Sequence, residues 1–209
     1  MKKFILLLFI AGTSISTLEA QINKTKKADK LFDKLEFIKA SEEYLKLIKE
    51  IPGDYYITKR LAESYYNIFD TENAEKWYNK IVDKGESEIM YRYAQMLKAN
   101  GKYAESNLWM NNFSEKKPYD SRAIAFRNSP NYIDKIIEKG KKFNIQNLAI
   151  NSEFSDFGST IYDNRLYFVS ARNEDRKSYS WSNEPFLDIY SSFVNEKGSF
   201  LEPEMLKEL

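Results

Sequence analysis

The feature that most constrains this chain is a spacing pattern that recurs three times between Ala28 and Pro118. In each pass a small residue is followed after 3 positions by a large apolar residue and after 12 by a second small residue. Large residues then follow 4 and 7 positions later. The second small residues, Ala40, Ala74 and Ser106, lie 34 and 32 positions apart. A period of about 34 residues predicts stacked helix hairpins, with the small residues where the two helices of a hairpin cross.

Turn residues separate the predicted hairpins. The first spans about Lys24–Ile51 and is stopped by Pro52-Gly53-Asp54. The second spans Tyr55–Lys84, and Asp70-Thr71-Glu72 between its helices offers side chains that can cap the next helix. In the third, Asn100-Gly101 marks the turn between the helices, because glycine tolerates a left-handed backbone at low cost.

This spacing resembles the tetratricopeptide repeat (TPR) family over about 90 residues, although the family's first Trp and its Gly beside the first small residue are absent. In that family the first helices of the repeats line a groove that receives partner peptides. The resemblance implies a partner-binding groove here, on a surface formed by Phe32, Lys59, Glu63, Tyr66, Asn67, Tyr91, Gln95 and Lys98, together with Asp29 and Asp33. Ordinary solvated positions are the competing interpretation for each residue. Tyr66 and Tyr91 are the strongest candidates, because exposed aromatic residues often mark contact surfaces.

The composition excludes several classes of functional site. The 209 residues include no His and no Cys, which excludes Cys or His nucleophile–base pairs, a Ser-His-Asp triad, His-ligated metals and disulfides within them. With 32 basic and 31 acidic residues, the net charge of +1 provides no field to attract nucleic acid or an anionic membrane. We therefore predict no catalytic residue, no metal, no cofactor and no nucleic-acid partner in this stretch.

Residues 1–20 have the features of a secretory signal peptide. Lys2 and Lys3 precede the apolar run Phe4–Ala11, which is too short to span a bilayer, and Leu18-Glu19-Ala20 fits a cleavage site before Gln21. The alternative is a helix of the fold itself, which the small and polar residues after the run disfavour. Because a chain without Cys has no site for a bacterial lipid anchor, we expect a soluble mature protein outside the cytoplasm.

After Lys142 the apolar pattern changes from a helical period to alternation, which is typical of strands. Phe157–Ile161 and Arg165–Ser170 are predicted to form a hairpin around Asp163-Asn164, where Asn can take a positive φ. Leu187–Val194 is predicted as a third strand.

Three pieces of this region occur in the order found in a WD40-like (PD40) propeller blade, which they resemble. They are Asn151–Gly158, Leu166–Arg172 and Asp188–Tyr190, and they correspond to the blade's S-D-F-G, F-x-S-x-R and D-I-Y elements. In such blades, residues like Asp156 and Arg172 fix turns and pair neighbouring blades, and we favour that structural role over a catalytic one. A propeller needs about four or more blades. Because Phe200–Leu206 resembles the lead into another blade, we expect a fragment of a longer protein or a truncated product.

The predicted fold class is therefore α + β in separate regions. Residues 21–118 are assigned to an α-solenoid of about three TPR hairpins. A helical cap and linker, residues 119–142, would use Asp120–Phe126 and Pro130–Ile137 to cover the end of the stack, and residues 143–209 would begin an incomplete β-propeller.

The order of these parts resembles OmpA-family proteins of Bacteroidetes-type bacteria. In that family a full propeller and a peptidoglycan-binding OmpA domain follow, and some members belong to type IX secretion and gliding machinery. The resemblance implies a non-catalytic periplasmic scaffold associated with the outer membrane. Its expected partners are proteins, with an outer-membrane β-barrel protein among the candidates, and peptidoglycan only through domains absent from this chain.

Two alternatives belong to other classes. WD40-like blades also precede peptidase domains, so the chain is alternatively the N-terminal part of a periplasmic peptidase or hydrolase whose catalytic domain lies beyond Leu209. An OmpA-type sequence after Leu209 would favour the scaffold, and a G-x-S-x-G elbow would favour the hydrolase. A glycan-binding outer-membrane lipoprotein is the third interpretation, which the missing lipidation Cys disfavours.

Overall fold

A computed structural model describes residues 24–196 and 198–206, so the predicted signal peptide, residues 1–20, lies outside the described residues. The chain forms two compact units, and the boundary between them falls between Ile136 and Ile137. This boundary lies within residues 119–142, the segment assigned to the cap and linker. The first unit is helical and the second contains an antiparallel sheet.

The helical unit consists of consecutive helices joined by short turns. They are α1 (residues 24–33), α2 (Phe37–Glu50), α3 (Tyr55–Asn67), α4 (Thr71–Asn79), a 3-10 turn (Val82–Lys84), α5 (Ser87–Ala99), α6 (Tyr103–Lys116) and α7 (Ser121–Asn128). A further helix, α8 (Tyr132–Glu138), crosses the boundary between the units. Helices α1 to α6 form the three predicted hairpins.

The turn residues act as their chemistry predicts. The Asp54 carboxylate accepts a hydrogen bond from the Ile57 amide at 2.9 Å and caps α3. Asp70 accepts from the Asn73 amide at 3.2 Å and caps α4, as expected from its place between the helices. Gly101 has φ +77°, the left-handed conformation predicted for the third hairpin.

The small residues of the repeat pattern lie where the helices cross. All six have no exposed surface: Ala28, Ala40, Ala62, Ala74, Ala94 and Ser106. Ser106 differs from the alanines because its hydroxyl donates a hydrogen bond of 2.7 Å to the carbonyl oxygen of Ala94. Burying a hydroxyl is costly unless it is hydrogen-bonded, so this bond explains how serine occupies a crossing point.

The large residues of the pattern fill two adjoining apolar clusters. One cluster surrounds Tyr44 and Leu61, and the other includes Tyr78 and Phe113. Partly buried side chains, among them Trp77, pack against both clusters, which makes the hairpins one continuous core. This stacking of each hairpin on the next is how repeat units bury apolar faces that no single hairpin could cover.

One of the two predicted cap segments closes the stack. Ala123 and Phe126 of α7 are buried in the second cluster, as expected for the segment Asp120–Phe126. The second segment, Pro130–Ile137, was also predicted to cover the end of the stack, but its helix α8 contributes no buried residue. Its apolar side chains Ile136 and Ile137 are 58% and 61% exposed, so they do not cover the core.

The second unit contains a four-stranded antiparallel sheet in the order β1 (Asp156–Tyr162), β2 (Arg165–Ser170), β3 (Asp188–Phe193) and β4 (Glu204–Met205). The hairpin between β1 and β2 turns at Asp163 and Asn164, with φ +48° and +56°. The first three strands and their turn therefore confirm the sequence prediction.

The interpretation of Phe200–Leu206 as the lead into another blade is wrong in this structure. Phe200 pairs with Val194, and the Leu206 amide donates a 2.9 Å hydrogen bond to the carbonyl of Ile189. Backbone pairing with β3 places this segment at the edge of the same sheet. The short turn around Asn195 returns the chain beside the strand that it has just left, as in a β-meander.

Apolar side chains occupy both faces of the sheet. One face packs Leu166, Phe168 and Tyr190 into a small core with residues from the flanking loops. Because side chains alternate along a strand, the neighbouring residues lie on the opposite face. That face carries Phe157, Tyr162, Tyr167, Val169, Ile189 and Phe193, of which Phe157 and Tyr162 are 52% and 73% exposed.

Candidate partner-binding face

Side chains of α1, α3, α5 and α7 contact one another in chain order and form what we call the first-helix face. An alternating series of carboxylates and guanidinium groups joins these helices, and we call it the charge ladder. Its pairs are Asp33–Arg60 (3.9 Å), Arg60–Glu63 (3.6 Å), Glu63–Arg92 (3.5 Å), Arg92–Glu88 (3.3 Å), Glu88–Arg122 (3.0 Å) and Arg122–Asp120 (2.9 Å). Single surface ion pairs contribute little to stability. The buried clusters hold the hairpins together, and the ladder links the exposed sides of successive first helices.

Each arginine of the charge ladder also covers an aromatic ring of the preceding first helix. The distances from guanidinium carbon to ring centroid are 4.2 Å for Arg60 and Phe32, 5.1 Å for Arg92 and Tyr66, and 4.2 Å for Arg122 and Tyr91. These arginines were not among the residues predicted from the sequence. The repeat spacing could have identified two of them, because Arg60 and Arg92 occupy the same position of the repeat. Each lies two positions before an alanine at a helix crossing, Ala62 or Ala94.

The ladder neutralises most of the positive charge on this face. Hydrogen bonds to Asp120 and Glu88 raise the pKa of Arg122. Hydrogen bonds from the side chain and the backbone amide of Arg122 lower the pKa of Asp120 to about 2, so both partners remain charged at neutral pH. The first-helix face therefore offers few free cations, although it carries several arginines.

Four of the predicted groove residues serve contacts within the helical unit. Phe32 packs edge-to-face on Phe37, and Glu63 belongs to the charge ladder. Lys59 pairs with Glu86 at 2.6 Å, and this ammonium group is the main cause of the lowered pKa of that carboxylate. Asn67 donates to the carbonyl oxygen of Glu63 at 2.8 Å. The flanking residues Asp29 and Asp33 also contact neighbours, Asp29 by accepting from the hydroxyls of Tyr44 and Tyr56.

The other four predicted residues, Tyr66, Tyr91, Gln95 and Lys98, come together around two adjoining clefts, which we call the groove. Each cleft encloses about 400 Å³. The first is lined by Tyr66, Phe69, Tyr91, Gln95, Met96, Lys98 and Ala99. The second is lined by Tyr91, Gln95, Lys98, Met110, Arg122, Ala125, Phe126, Ser129 and Tyr132. Tyr91, Gln95 and Lys98 thus separate the clefts and belong to both.

The groove combines aromatic walls with a lysine that no carboxylate of the described residues neutralises. The Lys98 ammonium lies 5.2 Å from the Tyr132 ring centroid and forms no ion pair with any residue that the structure describes. Burial raises the pKa of Tyr91, so its hydroxyl remains a hydrogen-bond donor at neutral pH. Such a surface suits an apolar side chain accompanied by an acidic or hydrogen-bonding group.

Phe69 is a groove residue that was not predicted from the sequence. It is 70% exposed and has φ +59°, a left-handed conformation that costs an L-residue about 1–2 kcal/mol. Glycine or asparagine normally occupies such a position at a helix C-terminus, so no sequence rule points to phenylalanine there. Its side chain lies in the first cleft beside Tyr66 and Tyr91.

In the sheet unit, the Asp156 carboxylate accepts from an Arg172 guanidinium nitrogen at 2.9 Å and from the amide of Ser152 at 2.6 Å. Burial acts to raise the pKa of Asp156, but hydrogen bonds from Ser170, Ser152 and Arg172 outweigh it and lower the pKa to about 2. The Arg172 guanidinium lies 5.0 Å from the Phe168 ring and 5.1 Å from that of Tyr190. The pair thus ties the start of β1 to the core of its own sheet.

Neither a metal cluster nor a membrane span occurs among the described residues. Within residues 24–196 and 198–206, no group of three or more His, Cys, Asp or Glu side chains is arranged to hold a metal ion. In the same ranges no helix is long and apolar enough to cross a membrane.

Helix hairpins at this period, with buried small residues at their crossings, define the first unit as a helical region that resembles a TPR solenoid. No protein-family model matches the chain, and no curated protein matches it. Among solved structures, this chain is similar to one described as "First TPR of Spaghetti (RPAP3) bound to HSP90 peptide SRMEEVD". The two chains are 18% identical, with 56% of this chain and 92% of the other covered and a TM-score of 0.47.

Proposed function

We propose that this chain is the partner-docking part of a non-catalytic periplasmic scaffold, and that its groove binds protein partners. The observation that carries the proposal is the convergence of Tyr66, Tyr91, Gln95 and Lys98 around two adjoining clefts of about 400 Å³ each. Aromatic side chains are enriched among the residues that dominate protein-binding energy. Buried packing between the hairpins supports this role because it holds the helices that present these residues.

The test is recovery of partners from a periplasmic extract with the intact chain as bait. Tyr66→Ala, Tyr91→Ala and Lys98→Glu should each reduce recovery of a specific partner at least about tenfold. Lys98→Glu matters most, because it reverses a charge without removing a side chain from the core. Tyr119→Ala is the matched control, since Tyr119 is 93% exposed and lines neither cleft. Unchanged recovery with all three groove variants would remove the groove assignment.

We further propose that the sheet is a blade of a PD40-type propeller. Two observations support this: four antiparallel strands follow one another in chain order, and apolar side chains occupy both faces. A sheet with two apolar faces requires a covering layer on each, and face-to-face packing of sheets at about 10 Å provides one. Neighbouring blades would cover the face that carries Phe157 and Tyr162.

We also propose that the chain is part of an OmpA-family protein linked to secretion or gliding. Domains absent from these residues would bind peptidoglycan, and an outer-membrane β-barrel protein is one candidate partner. The signal peptide is the part of this proposal that can be tested directly. Mass spectrometry of the periplasmic fraction should detect a mature amino terminus at Gln21. A chain that keeps residues 1–20 and stays in the cytoplasm would contradict the assigned location.

A further inference from the structure

The first helix of each hairpin ends in the same hydrogen-bonding motif. A left-handed residue follows the helix, and the amide of the next residue donates to the carbonyl five positions back, at 2.9, 3.0 and 2.8 Å. This is the Schellman arrangement, in which glycine is strongly preferred at the left-handed position. The three left-handed residues are Leu35, Phe69 and Gly101, which lie 34 and 32 positions apart.

Only the third of these hairpins has the residue that the motif favours. Leu35 and Phe69 are bulky L-residues at φ +63° and +59°, and their side chains are 54% and 70% exposed. A large apolar residue that is both strained and exposed adds little to the core. Strained backbone positions cluster at functional sites, which suggests a role in contact for at least one of them.

The two residues differ in what surrounds them. Phe69 lines the first cleft of the groove together with Tyr66, Tyr91 and Lys98, whereas Leu35 lines neither cleft. Strain at Phe69 therefore places an apolar side chain where a bound peptide would lie.

Lys98 adds a positive charge to the same cleft as Phe69. The arginines of the charge ladder are each paired with carboxylates, whereas Lys98 forms no ion pair with the described residues. An uncompensated ammonium group in an aromatic cleft is complementary to a ligand carboxylate. The apolar surface of Phe69 and the charge of Lys98 therefore select for two different groups on one ligand.

We propose that Phe69 and Lys98 form a specificity site that takes a peptide segment with an apolar side chain next to a carboxylate. The apolar side chain packs on Phe69, and the carboxylate pairs with Lys98. This inference rests on the proposed function of the groove and names the chemistry of its ligand.

The first experiment compares Phe69→Gly with Leu35→Gly in the intact chain. Both substitutions remove a strained L-residue, so both should raise the urea concentration at the unfolding midpoint. Leu35→Gly is the matched control for strain relief, because it leaves the groove intact. A lower midpoint for Phe69→Gly would show that the side chain stabilises the fold, and would overturn the argument from strain.

The second experiment measures peptide binding by amide chemical shifts of the isotope-labelled chain. The probe is an acetylated and amidated peptide Gly-Leu-Glu-Gly, compared with Gly-Leu-Gln-Gly and Gly-Ser-Glu-Gly. We expect the Leu-Glu peptide to shift the amides of Phe69, Tyr91 and Lys98, and to bind about tenfold more tightly than either comparison peptide. Phe69→Gly should abolish the difference between the Leu and Ser peptides, and Lys98→Gln the difference between Glu and Gln. Leu35→Gly should change neither.

The inference is overturned if the Leu-Glu peptide does not bind, if the three peptides bind equally, or if Phe69→Gly binds the Leu-Glu peptide as the unmodified chain does. Failure here is distinguishable from failure of the proposed function. If Tyr91→Ala abolishes partner recovery while Phe69→Gly preserves it, the groove assignment stands and the specificity site is wrong. If partner recovery depends on none of Tyr66, Tyr91 and Lys98, the groove assignment itself is wrong.

Discussion

The guanidinium carbon of Arg122 lies 4.2 Å from the ring centroid of Tyr91. Arg122 is the last cation of the charge ladder, and Tyr91 belongs to both clefts of the groove. The contact therefore connects the charge ladder to the surface proposed to bind a partner. It also connects the cap helix α7 to α5.

Replacing Arg122 should weaken the end of the helical unit. Arg122→Gln removes the contact with Tyr91 and the ion pairs with Glu88 and Asp120. Because these groups are only partly buried, we expect a loss of about 1 kcal/mol in the free energy of unfolding, measured by urea denaturation. Arg127→Gln is the control, since its guanidinium donates to the Pro118 carbonyl and lies outside the ladder. Equal effects of the two substitutions would contradict a specific role for the ladder.

The spacing of small residues allowed most of the helical unit to be predicted, because helix crossings impose a strict limit on side-chain volume. Ala62 and Ala74 have no exposed surface, and in a close-packed interior a larger side chain at either position is expected to displace a neighbouring helix. Turn positions could also be predicted where the residue's role depends only on its neighbours in sequence. Examples are the helix cap at Asp70 and the left-handed glycine at position 101.

Contacts between distant residues could not be predicted in the same way. The pair Glu88–Arg122 spans 34 positions, and charged residues on a helix face look alike in sequence whether paired or solvated. The left-handed conformation of Phe69 was missed because sequence rules assign glycine or asparagine to that position. The groove residues on the exposed side of α3 and α5 could therefore be predicted from the sequence. Phe69, in the turn after α3, could not.

Ala74→Leu tests the helix crossing of the second hairpin. Ala74 is fully buried, so a leucine should force the two helices apart and lower the free energy of unfolding by about 1–3 kcal/mol, measured by urea denaturation. Glu72→Leu on the same helix provides an exposed control, which should change stability by less than about 0.5 kcal/mol. A change near zero for Ala74→Leu would mean that the crossing tolerates a large side chain.

Gly101→Ala tests the cost of backbone conformation without any steric clash. An added Cβ at Gly101 would meet no heavy atom within 4 Å, so the expected loss of about 1 kcal/mol comes from φ +77° alone. Gly101→Asn should cost less, because asparagine visits the left-handed region more readily than alanine. Thermal unfolding followed by circular dichroism ranks the three chains. Equal stability of the alanine and asparagine variants would contradict this explanation.

Asp156→Asn tests the network at the start of the sheet. The substitution removes the charge that pairs with Arg172, whose side chain is only 17% exposed and would be left without this partner. We expect the sheet unit to lose about 2 kcal/mol at neutral pH, as measured by urea titration of the Phe168 amide signal. Asp175→Asn in an exposed loop is the control and should change this value by less than about 0.5 kcal/mol.

The stabilisation of the sheet unit by the Asp156 carboxylate should also depend on pH and should be lost at low pH. Its pKa falls from 3.8 to about 2 on folding, so the unfolded chain binds the proton more readily than the folded chain. The stabilisation is therefore complete above pH 3.8 and is lost as the pH falls through about 2. The stability difference between the unmodified chain and Asp156→Asn should shrink across this window in the same urea titration. A difference that stays constant from neutral pH down to about 2 would show that the carboxylate charge is not what stabilises the sheet.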